Sequence, residues 1–104
     1  VEIADTLISQ ARGLSGRVSL ADGTGMLFIF SSSSMQSFWM SGMQFPLDFV
    51  WINNGRVIGV TEHVPFVPQT ATQSPPSPAN MVLELNAGTV QKNGIKVGDV
   101  VELK

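Results

Sequence analysis

The chain has 104 residues, the size of one domain, with 43% hydrophobic and only 13% charged side chains and a formal net charge of -2. That hydrophobic share excludes a disordered chain, and scattered cations without a Lys/Arg run exclude the basic footprint of a nucleic-acid binder. Cysteine is absent and histidine single, which excludes disulfides, thiolate chemistry, Cys-ligated zinc and a multi-histidine metal centre, so no cofactor is implied. No apolar run reaches the roughly 18 residues of a membrane span. The chain opens on Val1 instead of a start methionine, so an upstream segment is expected.

Val1 to Ala4 reads as a short strand. Asp5 and Thr6 are good N-cap residues, and Leu7, Ala11 and Leu14 share one helical face, so a short helix is predicted until Gly13 and Gly16 end it. Met26 to Phe30 is an unbroken apolar run of strand length, predicted to be buried on both faces, and Ser31 to Ser34 reads as a polar loop. Phe38 to Met40 is a further short strand. Phe49 to Ile52 are all β-formers, and Asn54-Gly55 is a type I′ hairpin signal because both residues tolerate positive φ.

A two-residue turn fixes the register of this hairpin. It predicts Asn53 opposite Arg56, Ile52 opposite Val57, Trp51 opposite Ile58, Val50 opposite Gly59, Phe49 opposite Val60 and Asp48 opposite Thr61. Five prolines between Val64 and Ala79 predict a long extended loop pinned against the surface. Met81 to Leu85 is a strand, Ala87 to Asn93 a short helix with Gly94 at its C′ position, and Val100 to Leu103 a last strand. The fold class is α+β: one domain over 1–104, built on a curved, barrel-like, mostly antiparallel sheet with two short helices.

The ordered set Glu2-Ile3-Ala4-Asp5-Thr6, Ala11-Arg12-Gly13-Leu14, Gly16-Arg17, Gly25-Met26-Leu27-Phe28, Phe38-Trp39-Met40, Phe45-Pro46-Leu47-Asp48, Val82 to Thr89 and Gly94 to Asp99 covers nearly the whole chain. In that order it resembles the family called domain of unknown function 192. Ser15 departs from the pattern, where the family's Met would stand between Gly-Leu and Gly-Arg. The resemblance implies a small bacterial α+β domain with a barrel-like core. It also implies export to the cell envelope behind an upstream signal peptide or lipoprotein segment. The family name assigns no activity, so no catalytic residue is carried over.

Two constellations invite a functional reading. The predicted register turns Asp48, Thr61 and His63 to one face, where the carboxylate would orient the imidazole as a general base for hydrolysis, with loop serines as nucleophiles. No Gly-x-Ser-x-Gly elbow supports this, and the structural alternative has Asp48 accepting backbone N–H bonds or pairing with Arg12 or Arg17. The second constellation is the charge-free stretch from Gly23 to Leu47, where Trp39, Met40, Met43 and Phe45 form either an aromatic platform or plain core. The leading expectation is a non-enzymatic binding or interaction module for a small ligand or protein partner. Its site joins Trp39, Met40, Asp48 and Arg12 beneath the proline-rich loop. A hydrolase using Asp48 and His63, and a structural domain of a larger assembly, stand as alternatives.

Overall fold

The computed structural model describes residues 2–4, 24–39, 43–66 and 72–101. Seven strands and one helix are present among them: β1 (Glu2–Ala4), β2 (Gly25–Ser34), β3 (Phe38–Trp39), β4 (Leu47–Asn53), β5 (Arg56–Val64), β6 (Thr72–Gln73), β7 (Ala79–Asn86) and α1 (Thr89–Asn93). Five strands form the main sheet in the order β1-β2-β7-β4-β5, and β3 pairs with β6 in a separate two-stranded ribbon. Every neighbour in the main sheet is antiparallel except the parallel β1/β2 pair. The mostly antiparallel sheet is therefore as expected.

Among the described residues the sheet is not closed into a barrel, since it ends on β1 and β5. The free edge of β5 is instead partly occupied by the chain's own C-terminal segment. Val57 donates to the Asp99 carbonyl at 2.9 Å, Gly98 to the Val57 carbonyl at 2.8 Å and Val101 to the Gly55 carbonyl at 2.8 Å. Pairing an edge this way removes a template for aggregation. It also reduces the expected last strand to a single bridge between Arg56 and Val100. The expected helix after Asp5 lies outside the described residues, as do Arg12, Arg17 and Met40.

Strand alternation divides the core into two layers. Leu47, Phe49 and Trp51 of β4 face one side with Met26, Phe28 and Val82, and Met43, Phe45 and Val64 close over them. Val50 and Ile52 face the other side with Leu27, Val57, Leu85 and Val90 of the helix. The first layer is aromatic. Phe38 of β3 stands edge-on to Phe28 and Trp51, with ring centroids 5.0 and 5.9 Å away, while Phe49 and Trp51 stack at 5.4 Å. Such pairs contribute beyond their buried area.

β2 runs further than the sequence suggests. Ser31 to Ser34 continue the strand as exposed residues, with Ser34 opposite Ala79, because pairing with β7 supplies hydrogen bonds that polar side chains alone would not predict. The hairpin turn is as expected: Asn54 and Gly55 adopt φ values of 51° and 78°. The register beyond it is not. Asn53 faces Arg56 and Ile52 faces Val57, but Trp51 faces Gly59, Val50 faces Val60 and Phe49 faces Thr61. One extra residue, Ile58, bulges out, and it brings a half-buried side chain onto the aromatic layer. Gly59 then lies where the proline-rich loop crosses the sheet. A Cβ there would stand 2.8 Å from Cγ of Pro76, so only glycine admits this approach.

Candidate functional site

The structure holds two buried carboxyl groups among its described residues, Asp48 and Glu84. Asp48 sits on β4 on the face opposite Phe49 and Trp51. A second register shift between Leu47 and Phe49 places it against a bulge at Glu62 and His63, because Leu47 pairs with Val64. This corrects the predicted pairing of Asp48 with Thr61. His63 takes the left-handed conformation there, at φ 53°, which re-aims its side chain.

Asp48 is fully buried, and its carboxylate accepts three backbone N–H groups. Oδ1 takes the His63 amide at 2.8 Å, and Oδ2 takes Gly88 at 3.0 Å and Val90 at 2.9 Å. Gly88 offers no side-chain cap to α1. The carboxylate of a neighbouring strand therefore caps the helix, where orphan amides and the helix dipole favour negative charge. Charge-assisted bonds of this kind are the strong ones. Asp48 thus clamps the β5 bulge and the β7–α1 turn together.

This arrangement separates the residues that the sequence reading joined. Asp48 binds the main-chain nitrogen of His63, not its imidazole. The imidazole is exposed, with Cε1 lying 3.8 Å from where a Cβ on Gly88 would be. Trp39 pairs through its backbone with Thr72, in the ribbon whose Phe38 packs on the aromatic layer, so Asp48 lies on the opposite side of the sheet. Met40 and Arg12 lie outside the described residues.

Glu84 occupies the central strand of the main sheet and was not singled out by sequence. It pairs with Met26 of β2 and Phe49 of β4, which turns its side chain toward the aromatic layer. The residue is only 5% exposed. Among the described residues its carboxyl has no hydrogen-bond or ion-pair partner. Burial pushes its pKa from 4.5 up to about 8, because an apolar surrounding disfavours the charged form. The sequence did hold a signal: Glu84 is the lone charge inside Met81 to Leu85, a strand whose other residues are all apolar. No group of three acids or histidines suited to a metal ion occurs among the described residues.

No curated protein matches the chain. Two crystal structures do. One, a protein of unknown function from Novosphingobium aromaticivorans, shares 35% identity with a TM-score of 0.90, the match covering 98% of this chain and 73% of the other. The second, from Sinorhizobium meliloti and named as a candidate transcription regulator, shares 35% identity with a TM-score of 0.89, over 97% of this chain and 78% of the other. A family model described as "Uncharacterized ACR" matches residues 1–103. The chain belongs to that family, domain of unknown function 192.

Proposed function

We propose that this domain is a small binding module whose ligand lies against the aromatic layer of the sheet, with the Glu84 carboxyl as its polar anchor. One observation carries the reading: a nearly fully buried acid on an otherwise apolar face with no partner among the described residues. Buried polar groups in native proteins are nearly always satisfied, and an exception calls for a function. Ligand sites are typically apolar surfaces with a few polar groups that fix orientation. The segment containing Trp39, Met40, Met43 and Phe45 supplies the roof of such a site, and the ribbon of β3 and β6 ties it to the proline-rich loop. Asp48 enters as scaffold, holding the opposite face. With three amides on its carboxylate, it gives no support to a hydrolase built on an Asp48–His63 pair.

A fragment screen by ¹H–¹⁵N and methionine-methyl NMR on wild type and Glu84→Gln tests the reading. The amide keeps the shape of the side chain and loses its acid. Fragments that shift Met26 and Phe49 in wild type and lose affinity in Glu84→Gln support it. Absence of hits on this face, or hits indifferent to the substitution, would overturn it. Residence in the bacterial envelope follows from the family resemblance alone, and fractionation of cells expressing the full-length gene decides it.

A further inference from the structure

We infer that the group recognised by Glu84 is an organic ammonium, taken up against the aromatic layer in exchange for the carboxyl proton. This rests on the reading of that face as a binding site and names the chemistry of its ligand. The argument begins with what surrounds the acid. Met26 and Phe28 face it or its neighbour from β2, Leu47 and Phe49 from β4, and Val82 and Asn86 flank it along β7. None of these is charged, and neither are Met43 and Phe45 of the covering segment. The described cations Arg56, Lys92 and Lys96 are all exposed. Lys92 belongs to α1, whose Val90 packs on the opposite layer.

The pocket floor therefore has one acid and nothing among the described residues to neutralise it. Its walls are electron-rich rings and thioethers. Aromatic faces attract cations, most strongly where water is excluded, and an adjacent carboxylate completes an ammonium site. Methionine side chains repack readily, so Met26 and Met43 can yield to an entering alkyl chain. A neutral carboxyl suits the empty face, and a carboxylate suits the occupied one. Because the acid holds its proton up to about pH 8, each cation bound below that pH must displace one proton. The exchange balances: one proton leaves to solvent, one cation enters, and no bond other than O–H breaks.

The probe is hexyltrimethylammonium, whose charge does not titrate, compared with neutral 1-hexanol. Calorimetry at pH 6 in two buffers of different ionisation enthalpy reads the proton released. For wild type we expect release of one proton at pH 6 and an affinity that rises about 100-fold from pH 6 to pH 8, tenfold per unit. Glu84→Gln should bind more weakly, without proton release or pH dependence. Equal, pH-independent affinity for the ammonium in both proteins would overturn the inference. Hexanol binding that depends on Glu84 and fades above pH 8 would also overturn it, while leaving the site itself standing as a neutral-donor site. Failure of both probes, together with no Glu84-dependent fragment, would end the inference and the binding reading at once.

Discussion

The two buried acids sit on adjacent strands and differ in nearly everything that matters. Asp48 is saturated by three backbone amides and clamps a strand bulge to a helix start. Glu84 faces methionine and phenylalanine and has no partner among the described residues. The same functional group is a structural fastening on one side of the sheet and an uncompensated charge on the other. Burial alone does not say which role an acid has; the donors around it do. A saturated carboxylate has little left to offer a ligand, whereas an unsaturated one is destabilising until something arrives.

The sharpest way to break this contrast is to remove Asp48. Asp48→Ala strands three amides of the bulge and helix start, and should cost about 4 kcal/mol in urea denaturation, a large share of a small domain's stability. Asp48→Asn keeps acceptor oxygen and should cost about half as much. If Asp48→Ala costs less than about 1 kcal/mol, the clamp is ornamental and Asp48 returns as a candidate ligand group.

The pH dependence of stability addresses the other acid. The Glu84 pKa is raised on folding from 4.5 to about 8, so over that window the folded protein holds a proton that the unfolded chain releases. Its contribution to stability is therefore complete below about pH 4.5 and declines as pH rises toward 8, by about 1.4 kcal/mol per unit. Urea midpoints at pH 5, 6.5 and 8 should show this fall in wild type. In Glu84→Gln that component of the slope should vanish. Matching slopes in the two proteins would mean that the carboxyl is compensated, and the contrast with Asp48 would collapse.

The sequence exposed one half of this picture better than the other. The Asn54-Gly55 turn, the apolar run from Met26 and the helix stop at Gly94 are local signals, and the structure bears them out. The two bulges on β5 are not local. Ile58 is displaced because Trp51 and its neighbours must face the aromatic layer while Gly59 passes beneath Pro76, a contact across 17 positions of sequence. A slip of one residue reverses which side chains share a face, and so the register drawn from the turn alone brought Asp48 and the imidazole together wrongly. Glu84 escaped notice because a single acid in an apolar strand signals only when its neighbours on both sides are known.

Gly59 offers a smaller test of the aromatic layer. Gly59→Ala puts a Cβ within 2.8 Å of Pro76 Cγ and 3.5 Å of Trp51 Cδ1. Relief requires the proline-rich loop to lift, at a cost of about 2 kcal/mol. If that loop helps roof the ligand face, ammonium affinity should weaken along with stability. A stability loss with unchanged affinity would place the loop outside the site and confine the ligand to the segment around Met43 and Phe45.

The smallest expected effect decides how exceptional Glu84 is. Trp51 is fully buried, and its indole Nε1–H donates to Thr61 Oγ1 at 2.9 Å. The β5 bulge makes this bond possible, because it sets Thr61 opposite Phe49 and on the same face as Trp51. Thr61→Val preserves volume and removes the acceptor, leaving an indole N–H buried without a partner, which should cost about 1–2 kcal/mol. Thr61→Ser keeps the oxygen and should cost less than about 1 kcal/mol. Trp51 fluorescence, separated from Trp39 by a Trp39→Phe background, should shift to the blue in the valine variant only. That pattern would show that this layer enforces hydrogen bonding on its polar groups, which makes the solitary carboxyl of Glu84 a deliberate vacancy for a ligand. If Thr61→Val is as stable as wild type, the layer tolerates unsatisfied polar atoms, and the case for reading Glu84 as a site weakens with it.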